Sequence, residues 1–206
     1  MLDFAIRRRL HADFCFVQIG ANDGLQSDPI RSYARFFQWR GLLVEPVKDY
    51  FDECVANYRD CPRLKFVNAA ITEDAGPVTI YRVNPSLEGT PSWLKGIASL
   101  SPGHHRLSGT PDEMMISETV PGITLAQLLE DHDISSLDLL QIDAEGHDVA
   151  IVKSIDFDRI QPSIIHFEHR MNNSVHARAE VESVLGLLLT RGYKLFVNES
   201  DCLAYL

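Results

Sequence analysis

The sequence predicts a doubly wound α/β domain whose seven-stranded, mostly parallel sheet ends in an antiparallel hairpin. Three observations predict it. Short apolar runs alternate with amphipathic stretches for most of the 206 residues, the pattern of a parallel sheet covered on both faces. The first run, at 14–20 (FCFVQIG), stops on a glycine, as a buried strand does where it turns into a helix. The last two runs, 193–197 and 202–206, are too close together for a crossover helix, so they must pair as a hairpin.

The elements follow in order. Residues 3–10 read as a short helix. Asp28 and Pro29 sit where a cap and a first turn belong, for a helix to about Arg40. Residues 42–45 (LLVE) form a second strand, 47–58 a helix, 64–71 (LKFVNAAI) a third strand, and 78–83 (VTIYRV) a small additional strand. From 84 to about 119 the periodicity fails among Pro85, Pro91, Pro102 and Pro111. A long irregular segment inside a compact domain suits a lid or substrate loop. Trp93 within it can stack on a ligand ring or plug the core beneath. Thr124 caps a helix to about His132, and 137–142 (LDLLQI) is the fourth strand. A helix over 146–155 precedes the fifth strand, 163–168 (SIIHFE). Ser174 is placed to cap a long helix to about Thr190, closed by Gly192.

Composition narrows the class. An apolar fraction of 45% supports one folded domain over residues 1–206 rather than a disordered chain. The net charge of −10 opposes nucleic acid and anionic membranes as general partners. Cys15, Cys54, Cys61 and Cys202 include no CxxC pair, which disfavours a thiolate zinc site and suits reduced thiols. No leader or spanning segment is legible, so a soluble cytoplasmic protein is expected, with its oligomeric state open.

In an open parallel sheet the ligand lies beyond the carboxyl ends of the strands, at the switch point. Four segments converge there. Gly20, Asn22, Asp23 and Gly24 leave the first strand; two glycines spaced GxxxG fall short of the three-glycine dinucleotide fingerprint and suit a ligand without a pyrophosphate. Glu45, followed by Pro46, ends the second strand where a carboxylate accepts from ribose hydroxyls. Asn68 and Ala69 leave room for a flat base. Asp143, Glu145, Asp148 and His147, three acids and a histidine, crowd the end of the fourth strand, more acid than helix capping alone requires.

The runs VQIGANDG, LLVEP, VNAAI and LDLLQIDAEGHDVAIVKS, in that order, resemble the FkbM-like methyltransferases. The resemblance covers about residues 14–170, and IDAEGHD is its most specific piece. It implies a Rossmann-like class I methyltransferase fold and transfer of a methyl group from S-adenosylmethionine to a hydroxyl of a small sugar or secondary metabolite. It implies that Gly20, Asn22, Asp23 and Gly24 face the methionine part, Glu45 the ribose, and Asp143 the methionine or the acceptor. Two positions depart from it: Gln18 stands where methyltransferases often carry an acid, and Gln141 where the family often carries a lysine.

A hydroxyl needs a base or a metal to become a nucleophile. Candidate bases are Glu145, His147, Glu168 and His169, with His104 and His105 in reach from a lid. Magnesium is a possible cofactor, with Asp143, Glu168 and His169 as its ligands, although His169 suits it poorly. His166 reads as a core histidine. The rival readings are a nicotinamide-dependent oxidoreductase, which lacks its glycine fingerprint here, a non-catalytic binding module, and an N- or C-methyltransferase, for which an NPPY-type loop is missing.

Overall fold

The computed structural model describes residues 1–169 and 178–206; the predicted cap Ser174 lies outside them. The strands in chain order are β1 (Cys15–Ile19), β2 (Arg40–Val44), β3 (Leu64–Val67), β4 (Ala70–Ile71), β5 (Gly76–Val83), β6 (Met115–Ile123), β7 (Leu139–Ile142), β8 (Ile164–Glu168), β9 (Lys194–Val197) and β10 (Asp201–Tyr205). The α-helices are α1 (Leu2–Arg7), α2 (Arg31–Phe37), α3 (Lys48–Asn57), α4 (Leu125–Asp131), α5 (Asp148–Lys153) and α6 (Arg178–Thr190).

Among the described residues, seven strands form the main sheet in the order β3-β2-β1-β7-β8-β10-β9. Strands β3, β2, β1, β7 and β8 run parallel, and β10 is antiparallel to both β8 and β9. The alternation along β1 explains the two layers. Cys15, Val17 and Ile19 point to the face covered by α4, α5 and α6. Phe16 points to the face covered by α1, α2 and α3. Both faces are buried, so the central strands read as continuous apolar runs.

The local signals explain the helix ends. The Asp28 carboxylate accepts from the amides of Ile30 and Arg31 at 2.9 and 3.0 Å, as its place before Pro29 suggests. The Thr124 hydroxyl accepts from Gln127 N–H at 3.0 Å. Gly192 takes φ +89° two residues past α6. All four cysteines are free and buried. Among the described residues no helix is long and apolar enough to cross a membrane.

Two expectations need correction. The run 64–71 is not one strand. β3 ends at Val67, and β4 belongs to a second sheet of order β4-β6-β5. Asn68 makes the break: its amide donates to the carbonyls of Glu45 and Pro46 at 2.8 and 2.9 Å, so a side chain replaces the ladder and the chain turns away. The irregular segment does not reach 119. After short 3₁₀ turns at Ser92–Ile97, His104–Ser108 and Asp112–Met114, regular structure resumes with β6 at Met115. Pro121 lies within this strand. It is tolerated because β4 borders β6 only from Gly122 onward, leaving Pro121 on an edge among the described strands.

Arg82 ties the small sheet to the main one. Its side chain is 1% exposed, and its guanidinium forks onto Asp49 of α3 at 2.7 and 2.5 Å. It also reaches Glu118 of β6 at 3.4 Å and lies 4.9 Å from the Tyr50 ring centroid. Lysine would keep the charge but lose the fork and the stacking. Arg82→Lys is expected to lower stability by about 1–3 kcal/mol in urea denaturation.

Candidate active site

From β1 the chain moves outward through β2 and β3, then returns on the other side of β1 as β7. A cavity of about 370 Å³ opens at that switch point, a volume typical of small-molecule sites. Gln18, Gly20, Asn22, Glu45, Pro46, Tyr50, Ala69, Asp143, Glu145 and His147 line it from the main domain. Trp93, Lys95, Gly96, Ile97, Leu100 and Ser108 line it from the segment between β5 and β6.

The turn after β1 is built on backbone contact. Gly20 and Ala21 donate to the Val44 carbonyl at 2.9 and 3.0 Å, while Asp143 N–H donates to the Ile19 carbonyl at 2.9 Å. Gly20 has φ +77°, and a Cβ there would lie 1.8 Å from the Asp143 carbonyl oxygen. Gly24 has a different duty from the one its spacing suggests. It lies off the cavity wall, and a Cβ there would meet Cys54 Sγ and the Tyr58 ring at 2.8 Å, so it lets the turn pack on α3 and its C-terminal end. Asp23 is also off the wall; one of its oxygens accepts from Leu25 and Gln26 N–H at 2.9 and 2.8 Å, closing a turn. Asn22 is on the wall, with φ +47°.

Glu45 is buried. One oxygen accepts from Asn22 N–H and the other from Val47 N–H, each at 2.8 Å. Burial pushes its pKa up to about 7, against the pull of those two amides. A carboxylate has room for about four donors, so acceptor capacity remains on each oxygen. Asn68 supports Glu45 and Pro46 from behind and does not line the cavity, whereas Pro46 and Ala69 do.

The turn after β7 is pinned from inside by Asp148. Its buried carboxylate accepts from Ala144, Gly146 and Glu168 N–H at 3.3–3.4 Å. Burial, then the charge of Glu168, raises its pKa to about 7. Asp148, one of the three acids that the sequence places at the cleft, lies off the cavity wall in the structure and holds backbone amides instead. Of the five candidate catalytic residues, Asp143, Glu145 and His147 reach the cavity. Glu168 and His169 do not line it; His169 N–H donates to the Ser200 carbonyl at 2.7 Å. Burial lowers the His147 pKa, which keeps the ring neutral at pH 7. Glu145 adopts φ +45°, disfavoured for a residue with a side chain.

The segment from Asn84 to Met114 supplies a wall. Trp93 is half exposed at the cavity mouth, so it does not plug the core. The Gln26 carboxamide accepts from Trp93 N–H and donates to the Ser92 carbonyl, both at 3.1 Å, in the orientation that satisfies both groups. His104 meets Glu145 at 2.8 Å and His105 turns to Asp112 at 2.8 Å; neither lines the cavity. His166 pairs with Gln141 across the sheet at 2.9 Å. Among the described residues no three His, Cys, Asp or Glu side chains are grouped to hold a metal ion, so the magnesium arrangement of Asp143, Glu168 and His169 is not formed.

Sheet order, antiparallel β10 and a cavity at the ends of β1, β2 and β7 define the Rossmann-like methyltransferase fold. The sequence matches the family described as the Methyltransferase FkbM domain over residues 18–195, and the chain belongs to that family. This places it among methyltransferases rather than nicotinamide oxidoreductases. A solved structure of methyltransferase FkbM from Methylobacillus flagellatus KT is similar at 10% identity and TM-score 0.57, over 96% of this chain and 44% of that one. The METTL16 methyltransferase domain is similar at 12% identity and TM-score 0.51, over 99% of this chain and 64% of that one. The N-terminal domain of human METTL16 gives 12% identity and TM-score 0.50, over 98% and 65%. The chain therefore spans less than half of the first structure and just under two thirds of the others, and these likenesses concern the fold. No curated protein is matched.

The two buried acids make stability pH-dependent. The ordinary values are 4.5 for Glu45 and 3.8 for Asp148, and folding raises both to about 7. Between those limits the folded chain holds protons that the unfolded chain has lost. The stabilisation is full below about pH 4 and fades as pH rises through 7. Thermal melting is expected to fall between pH 5.5 and 8, and Asp148→Asn is expected to shrink that fall.

Proposed function

We propose that the chain transfers a methyl group from S-adenosylmethionine to a hydroxyl oxygen of a sugar or secondary-metabolite acceptor. The observation that supports this best is Glu45: a buried carboxylate held by two backbone amides, with lone pairs left for the cavity. Such a group suits the paired hydroxyls of a ribose. The rest of the wall fits the same molecule. Gln18 Oε1 is buried without a hydrogen-bond partner among the described residues, and Gln18 lines the cavity, which suits the ammonium of the methionine part. Pro46, Tyr50 and Ala69 offer a surface for a flat base. The turn after β1 carries two glycines spaced GxxxG, short of the three-glycine dinucleotide fingerprint.

S-Adenosylmethionine supplies an activated methyl group, so the protein's own task is alignment and proton removal. His147, neutral and on the wall, is the base that takes the hydroxyl proton at a ring nitrogen. The Trp93 ring at the mouth offers a face on which a sugar ring can stack.

Calorimetric titration with S-adenosylmethionine, with NAD as control, tests the cofactor. Micromolar binding of the first and none of the second is expected. Glu45→Ala is expected to weaken binding by about 10- to 100-fold, the loss of one or two hydrogen bonds to a charged group. A folded wild-type protein that binds no S-adenosylmethionine overturns the reading. In a screen of hydroxylated acceptors, His147→Ala is expected to slow transfer by about 100-fold or more while leaving cofactor affinity unchanged.

A further inference from the structure

Trp93, Lys95, Ile97 and Leu100 form one wall of the cavity. Several contacts hold it. Ser99 exchanges backbone hydrogen bonds with Tyr81 of β5 at 2.9 and 3.0 Å. Lys95 pairs with Glu53 of α3 at 2.6 Å. Gln26 holds the backbone at Ser92 and Trp93. The contacts to Glu145 differ in kind, because they join this wall to the turn that carries Asp143 and His147. His104 Nε2 lies 2.8 Å from Glu145 Oε2, and Ser99 Oγ donates to the Glu145 carbonyl at 2.6 Å.

The His104 side chain is 5% exposed and that of Glu145 13%. An apolar pair would close such a surface at no electrostatic cost; what a buried polar pair adds is one defined register. Two tethers from one segment, on the carbonyl and the carboxylate, hold Glu145 in its left-handed conformation. Glu145 itself lines the cavity, so the closure and the ligand share one residue.

We propose that His104 is a positioning residue that latches the segment 92–108 shut through Glu145, and so sets how long the nucleoside ligand stays bound. This rests on the reading of the cavity as the S-adenosylmethionine site. The probe is S-adenosylhomocysteine. Its release is followed by stopped-flow displacement, and lid opening by acrylamide quenching of tryptophan fluorescence. The chain has two tryptophans; Trp39 is fully buried and Trp93 half exposed, so quenching reports on Trp93.

His104→Ala is expected to release S-adenosylhomocysteine about tenfold faster and to raise quenching, the loss of one hydrogen bond to a charged group. His104→Gln keeps an N–H donor and is expected to return release to within about threefold of wild type. The double variant His104→Ala/Glu145→Ala is expected to release no faster than the faster single variant, as for two residues sharing one contact. Should His104→Ala fail to fold, His104→Leu keeps the volume without the donor and carries the same comparison. Folded variants that release at the wild-type rate, or a glutamine no better than alanine, overturn the latch. A wild-type protein that binds no S-adenosylhomocysteine overturns the cofactor reading instead.

Discussion

The contact on which the site depends is backbone against backbone, where β1 and β7 end together. Asp143 N–H reaches the Ile19 carbonyl, and Gly20 passes so close to the Asp143 carbonyl that no Cβ fits between them. On the other side, Gly20 and Ala21 donate to Val44 at the end of β2. Three strands therefore end at one level, and the turns that leave them diverge around a common space. The cavity is what remains between those turns, and Glu45, Asp143 and His147 reach it because their strands end there.

Two buried carboxylates then hold the turns in shape. Glu45 gathers the amides of Asn22 and Val47, and Asp148 those of Ala144, Gly146 and Glu168. Each satisfies donors that a tight turn cannot pair within itself. Both carry the desolvation cost of burial, which is why both are pushed to about 7. They differ in what they face. Glu45 lies on the wall, where a ligand's donors can relieve that cost, while Asp148 is off the wall.

The small sheet and the segment between its strands complete the enclosure. Arg82 joins that sheet to α3 through Asp49 and lies over Tyr50, whose ring lines the cavity. Tyr50 was invisible as a site residue because nothing local distinguishes a cavity-facing tyrosine in a first helical turn from a core one. Gly24 and Asp23 have contacts that their spacing does not announce. Their spacing reads as ligand contact, yet one packs on α3 and the other closes a turn. Glu168 and His169 are likewise at a strand end, but that strand lies one step beyond the switch point.

The sequence by itself determined the layers, the strand count of the main sheet, the hairpin and the family resemblance. Those features are written in apolar periodicity, in short connections and in runs such as IDAEGHD, all of which are local. It also determined that Gly20, Glu45 and the turn after β7 would meet, because parallel strands bring their carboxyl ends to one edge. Tertiary structure alone decided that Asn68 would end β3, that β6 would accept Pro121, and that His104 rather than His105 would turn to Glu145. Each depends on a partner more than 20 residues away or on which neighbour borders a strand. Pairing at such distances is set by how packed layers meet, and no periodicity along the chain records it.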